Sequence, residues 1–352
     1  MMINMNNNTQ SDNKTKRICV VDTPFSLFYY LLLFGVNEDD IFVMSKNIPK
    51  PIRDNINHIY FPINQIYPYD TIKHILMDLW FFILLFYDIN KLRIKLKLKT
   101  KGFNVKSYGH GHLLFSFPLY EYQDSSIIED GVGNYAPLPE FKEFSPIPKF
   151  IFNKLFGKYI RKPIDGFGTH PKIKHIYLTK NQGYVKHIES KVITKGLDEL
   201  TNSIDKNQKD KILKIYNADT IINSIDENDI LLLTEPFTEC LELTIEEEIE
   251  IYKDIISKYN PNQIIIKPHP GERKDYSKYF PDIRIITTPF PLELFDLMDV
   301  KFKKIITIES SAALNFKNIE VEFYNGKISN EKINKRRERV KKQYQKLYNK
   351  KN

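Results

Sequence analysis

Cysteine is close to absent: the 352 residues contain two, Cys19 and Cys240. Two thiols build neither a disulfide framework nor the paired-cysteine spacing of a structural zinc site. Cys19, inside the apolar run Ile18-Cys19-Val20-Val21, reads as a buried free thiol in a reducing cytoplasm. Glycine is scarce too, with 13 residues against 24 phenylalanines and 21 tyrosines, which argues against glycine-rich solenoids and collagen-like chains. The glycine-dependent signatures are missing: there is no Walker A loop, no Gly-x-Gly-x-x-Gly turn and no Gly-x-Ser-x-Gly elbow. P-loop kinases, dinucleotide-dependent dehydrogenases and α/β-hydrolases are thereby set aside. There is also no Asp-x-Asp pair, the usual metal clamp for nucleotide-sugar diphosphates. No hydrophobic run is long. The most apolar stretch, Ile75 to Phe86, spans roughly twelve residues with Asp78 inside, where a membrane span needs about 20, so a buried or interfacial helix is expected. The Asn-rich start, Met1 to Asn13, lacks the apolar core of a signal peptide and reads as part of a disordered tail.

What is present is a globular composition, 42% hydrophobic and 27% charged, on a chain comfortable for two domains. The net charge of +8 is unevenly placed. One basic run is Lys91 to Lys101, where Lys or Arg alternates with Leu and Ile; the other is the stretch 330–352, with Lys335-Arg336-Arg337-Glu338-Arg339. Clustered cations suggest an anionic partner, and no nucleic-acid motif accompanies either run. An anionic membrane surface is therefore expected over DNA or RNA, with an ordinary solvated helix face as the alternative. The 330–352 stretch is expected as a helix that returns to the first lobe or touches the inner leaflet.

Two strand-helix series follow one another. Residues 17–22 form a β-branched apolar run, followed by Thr23-Pro24 and the apolar stretch Phe25 to Phe34, which predicts a buried strand, a capped helix start and a helix. Further strands are expected at 41–44, 59–61, 103–105 and 126–128. Residues 145–172 hold four prolines and three glycines and read as a connector. The second series has strands expected near 229–233, 263–267, 283–286 and 304–308, with a helix over 244–259 that is acidic early and basic late. The expected layout is a tail at 1–16, a first α/β lobe at 17–170, connecting helices at 171–221, a second lobe at 222–329 and a basic helix at 330–352.

Three clusters sit just beyond apparent strands, where open parallel sheets bind ligands. Glu129-Asp130 precede Gly131; a second carboxylate nearby raises a pKa and suits base work, though a polar turn is the plain alternative. Lys267-Pro268-His269-Pro270 presents an imidazole between two prolines, with Arg273 and Lys274 nearby, suited to a departing phosphate unless His269 is a simple loop residue. Glu309-Ser310-Ser311-Ala312-Ala313 is expected to begin a helix, which offers phosphate-binding N–H groups or merely an N-cap. Glu293 opens another apolar helical stretch and is placed to accept ribose hydroxyls or to act as a first-turn acid. Glu235, after the strand at 229–233, is a reserve candidate for the base. The loops at Gly109-His110-Gly111-His112 and Asp165-Gly166-Phe167-Gly168 are candidate acceptor-side elements. His110 and His112 have metal-ligand spacing, but no third ligand is evident, and no metal site is expected.

In this order the clusters resemble the motif set of bacterial sialyltransferases of the lipooligosaccharide type, glycosyltransferase family 52. The likeness is carried by Val21-Asp22-Thr23-Pro24-Phe25, the acidic pair before Gly131, Lys267-Pro268-His269-Pro270 and Glu309-Ser310-Ser311, and spans about residues 17–325. It implies a GT-B fold, two Rossmann-like α/β lobes with parallel sheets and an interlobe cleft, and an inverting, metal-independent transfer without cofactor. By the same resemblance the donor is CMP-sialic acid and the acceptor a galactose-terminated surface glycan of lipooligosaccharide or capsule. Glu129 or Asp130 would take the acceptor proton, and His269 would protonate or stabilise the departing phosphate. Lys267, Pro270, Glu293, Ser310 and Ser311 would line the donor site; His110, His112 and Glu235 are candidates on the acceptor side. A different nucleotide-sugar donor on the same fold is the closest alternative. A non-catalytic nucleotide- or glycan-binding protein would not need the carboxylate pair, and a nucleic-acid binder rests on charge alone. A homodimer is among the expected forms.

Overall fold

The fold is that of a computed structural model, which describes residues 14–62, 72–111, 113–130, 135, 150–151, 154–155, 168, 170–181, 186–222, 224–316 and 319–348. The tail Met1 to Asn13, Gly131, His112, Asp165 to Phe167 and most of the expected connector at 145–172 lie outside these residues. The chain forms two compact units, residues 1–208 and 209–352.

The first unit is built on a seven-stranded sheet in the order β3-β2-β1-β4-β5-β6-β7, every neighbouring pair parallel. Its strands are β1 (Thr15–Val21), β2 (Ile41–Met44), β3 (His58–Tyr60), β4 (Asn104–Gly109), β5 (Asp124–Ile128), β6 (Ile173–Leu178) and β7 (Val192–Thr194). The central strands are covered on both faces, which is why β1 ends in four fully buried residues and β2 is buried throughout. Helix α1 (Pro24–Phe34) follows β1 directly. Thr23 caps it by accepting the Ser26 N–H at 3.2 Å, Pro24 opens it, and Gly35 ends it at φ +73. Arg17 and Tyr30 both bind the buried Asp40, at 2.8 and 2.7 Å, tying β1, α1 and the start of β2 together.

The apolar stretch 75–86 and the basic run 91–101 prove to be largely one element, α2 (Ile72–Lys99), 28 residues long. Phe82, Leu85, Ile89, Leu92 and Leu96, spaced at three and four residues, sink into the core of the first unit. The expected boundary at 170 is overturned: β6 and β7 lie within 171–221, read as connecting helices, and extend the first sheet. Among the described residues of that span, the α-helices begin only at Leu197, with α3 (Leu197–Ser203) and α4 (Lys206–Ile215). Gly168, part of a candidate acceptor loop, is a packing residue. It is buried at φ +85, and a Cβ there would lie 2.3 Å from Ile176.

The second unit repeats the plan with five parallel strands in the order β10-β9-β8-β11-β12. These are β8 (Ile230–Leu233), β9 (Ile264–Lys267), β10 (Arg284–Ile285), β11 (Lys304–Thr307) and β12 (Glu320–Phe323). Between β8 and β9 runs α5 (Ile245–Ile256), opened by a reciprocal capping box between Thr244 and Glu247, a device worth about 1 kcal/mol. Its Ile249, Tyr252, Ile255 and Ile256 pack on Ile264 and Ile266. Helix α6 (Leu294–Met298) precedes β11, and α7 (Glu331–Tyr348) packs on this unit through the buried Ile333 and Val340. The α/β reading with two Rossmann-like parallel sheets is met in each unit. In both, strand order reverses beside the first strand of the unit, at β1/β4 and at β8/β11, and such switch points open a crevice beyond the strand ends.

Candidate active site

In the first unit the loops after β1, β4 and β5 meet at the switch point. Thr23, two residues past the end of β1, donates through Oγ1 to Asp130 Oδ1 at 3.0 Å. His110, next after β4, places Nε2 3.8 Å from the same oxygen. Asp22 is buried and accepts from Ser45 and from Asn47 Nδ2, the latter at 2.9 Å. The two adjacent carboxylates have different surroundings. Glu129 is buried and closed off by three donors: the Tyr135 hydroxyl at 2.6 Å, the Thr179 N–H at 2.5 Å and the Thr179 hydroxyl at 3.1 Å. Burial pushes its pKa up, and those hydrogen bonds oppose the shift. Asp130 keeps 16% of its side chain exposed beside the imidazole. Strand alternation explains the split, since successive side chains leave a strand end on opposite sides.

In the second unit β8, β9 and β11 deliver the other expected residues to the second switch point. Lys267 ends β9 buried, with Nζ 4.2 Å from the centre of the Phe290 ring. Burial lowers its pKa to about 8, against the raising influence of Glu293. Lys267 and Glu293 are thus brought together electrostatically. The His269 loop is fastened at its backbone: the His269 N–H donates to Glu272 at 2.6 Å, and Glu272 also accepts from Thr234 and, at 2.6 Å, from the Tyr276 hydroxyl. His269 Nδ1 accepts the Gly271 N–H at 3.0 Å. In the neutral ring the proton then resides on Nε2, which becomes a donor. Desolvation among the surrounding loops, then the charge of Lys267, hold the His269 pKa below its ordinary value. Pro270 is exposed and fixes the turn.

Lys274 does not add charge to this edge as the sequence suggests. It is bound by Glu239, Glu248 and Glu272 at 2.9 to 3.0 Å, so its cation is spent on structure. The serine run also differs from expectation. Ser311–Asn315 is a single 3-10 turn rather than an α-helix. The Ser310 N–H donates to Thr307 Oγ1 at 2.9 Å, while its hydroxyl bonds Glu235. Ser311 is exposed. Glu235 belongs to this cluster, not to the first unit. Its buried carboxyl is pushed up to about 8 by desolvation and by Glu309, with Ser310 opposing. Glu309 is held at 2.8 Å by Arg336 of α7, which also grips Glu242 with both terminal nitrogens at 2.6 to 2.7 Å.

Sequence reading missed the supporting residues Tyr135, Thr179, Thr234 and Glu272. Only Thr234 and Glu272 carried a local signal, standing at the end of β8 and just past the His269 turn.

The sequence pattern of Glycosyltransferase family 52 matches residues 71–332, well over half of the chain, and the protein belongs to that family. A Haemophilus influenzae protein described as uncharacterized is 34% identical over 234 residues, covering 66% of this chain and 72% of the relative. Among solved structures, an alpha/beta-galactoside alpha-2,3-sialyltransferase from Photobacterium phosphoreum is similar at TM-score 0.49 and 15% identity, over 93% of this chain and 95% of that one. A UDP-GlcNAc 2-epimerase from Neisseria meningitidis is similar at TM-score 0.43 and 13% identity, over 94% and 91%.

Proposed function

We propose that the protein is an inverting, metal-independent sialyltransferase that moves sialic acid from CMP-sialic acid to a galactoside hydroxyl of a bacterial surface glycan. Membership of glycosyltransferase family 52 supports the class of reaction. The observation that carries the reading is the chemistry at each unit's own switch point: Asp130 lies beside His110 in the first unit, and Lys267 and His269 end the same strand edge in the second. The acceptor oxygen attacks the anomeric carbon as the bond from that carbon to the phosphate oxygen breaks. Asp130 takes the acceptor proton, and His110, 3.8 Å away, steadies the carboxylate. Glu129 positions the loop through Tyr135 and Thr179 and does not act as the base. The leaving CMP carries growing phosphate charge. Lys267 answers it with a buried cation, and His269 donates from Nε2. With a pKa of about 8, Glu235 is largely protonated at neutral pH, and a neutral carboxyl holds the Ser310 hydroxyl proton only weakly. That frees the Ser310 hydroxyl, together with Ser311, to donate to the phosphate. Glu293 holds the ribose hydroxyls.

The test is CMP release from CMP-sialic acid, with and without lactose, in EDTA. Lactose-stimulated release in EDTA is the expected result. Absence of release with CMP-sialic acid, alongside turnover of another nucleotide-sugar, would replace the donor and keep the family.

A further inference from the structure

Helix α2 has two apolar faces, and only one of them is in the core. Opposite the buried row, Trp80, Ile83, Tyr87, Ile94 and Leu98 point to water with 54 to 71% of their surface exposed. They recur every three, four or seven residues, so they form one stripe along a helix about 42 Å long. Lys91, Lys95 and Lys99, one turn apart, run beside it and are exposed. Between residues 80 and 101 every exposed charged residue is a lysine. A soluble surface helix normally turns its polar side outward, so this much outward aromatic and aliphatic surface marks an interaction face. Among the described residues, no helix is long and apolar enough to cross a membrane.

We propose that this face of α2 lies on a lipid bilayer surface bearing anionic headgroups, with the helix in the plane of the interface. The aromatic and branched side chains enter the boundary between headgroups and acyl chains, where Trp and Tyr are favoured, while the lysine row meets the lipid phosphates. The partner is chosen by charge complementarity: the apolar stripe needs an apolar phase, and its lysine border, which holds three exposed cations against the one half-buried Asp88, needs an anionic rim. The second basic helix makes the contrast. On α7 the exposed Lys332, Lys335, Arg339 and Lys342 share their surface with Glu331 and Glu338 and have no exposed apolar residue among them. That helix is a solvated charged face, and its Arg336 and Arg337 are anchored within its own unit.

Trp80 is the only tryptophan of the chain, so its fluorescence reports on this face alone. The full-length protein is mixed with vesicles of phosphatidylcholine alone or of phosphatidylcholine with phosphatidylglycerol. Trp80 emission is expected to shift to the blue, and the protein to co-sediment, only with the anionic vesicles and less so at high salt. The triple variant K91E/K95E/K99E should bind these vesicles at least roughly 100-fold more weakly, with an unchanged melting temperature because all three side chains are exposed. A second variant, I94E/L98E, should abolish the blue shift while leaving the fold intact. Absence of co-sedimentation with anionic vesicles overturns the proposal. So does an emission shift that grows with protein concentration without lipid, which would make a second copy of the chain the occupant. Neither readout depends on turnover, so the surface and the catalytic reading fail separately.

Discussion

The strand ends of the two sheets carry opposite chemistry on the same framework. In the first unit the residues following β1 and β5 are Asp22, Glu129 and Asp130, with one imidazole among them. In the second, Lys267 and His269 lead, and the acids nearby are neutralised: Glu272 by Lys274, Glu309 by Arg336, and Glu235 by protonation. A parallel sheet supplies a crevice and a set of loops; the sign of charge in the crevice is set by which side chains the loops find partners for. The acidic edge suits proton removal and the cationic edge suits a phosphate, so the division of labour can be attacked one edge at a time.

The largest effect should come from Asp130→Asn, which removes the proposed base while keeping the Thr23 contact. Turnover should fall by about 10²–10⁴-fold with donor affinity unchanged, as read by initial rates and by titration of CMP. A variant within a few fold of the parent would move the base elsewhere. His269→Ala should come next, costing about 10²-fold in turnover, and it should be partly rescued by donors with a better leaving group. The companion change Glu129→Gln should act mainly on stability, lowering it by about 1–3 kcal/mol as one of three donors loses its partner. If Glu129→Gln proved as damaging to turnover as Asp130→Asn, the contrast between the two carboxylates would collapse.

The pH dependence sharpens the comparison further. As pH rises through about 8, Lys267 loses its proton and Glu235 gains a negative charge, so both changes make the strand edge of the second unit more negative. Affinity for CMP should therefore weaken above pH 8. Lys267→Met should remove one part of that dependence and Glu235→Gln the other, as measured by calorimetric titration across pH 6.5–9. The smallest effect concerns folding. The carboxyl of Glu235 has its pKa raised in the folded chain, so the stability it contributes is full below the unfolded value near 4.5 and is lost as pH rises to about 8. Glu235→Gln should flatten that decline, raising the melting temperature by several degrees at pH 8 and little at pH 4.5.

The comparison also shows what was legible in the sequence. The strands β1, β2, β8, β9 and β11 are short runs of buried β-branched and aliphatic residues, and such runs declare themselves. Strands β6 and β12 do not, because exposed and buried positions mix along them. In β12, Glu320 and Glu322 turn out to meet Lys304 on β11. Missing β6 and β7 put the boundary of the first unit at 170. The candidate residues were legible because they stand just after strands. Their states were not: Glu129 is closed off by Thr179, fifty residues on, and Lys274 is consumed by Glu239 and Glu248, partners that no local pattern announces.

Helix α7 has one more consequence, concerning the order in which the protein is made. Arg336 clamps Glu309, and with it the loop that carries Ser310 and Ser311. On a ribosome the acidic edge is complete long before this arginine is translated, and domains fold in order of synthesis. The loop of Ser310 and Ser311 gains its last fastening only when α7 has emerged and docked, so a chain still being synthesised would hold a finished acidic edge and an unfinished second one.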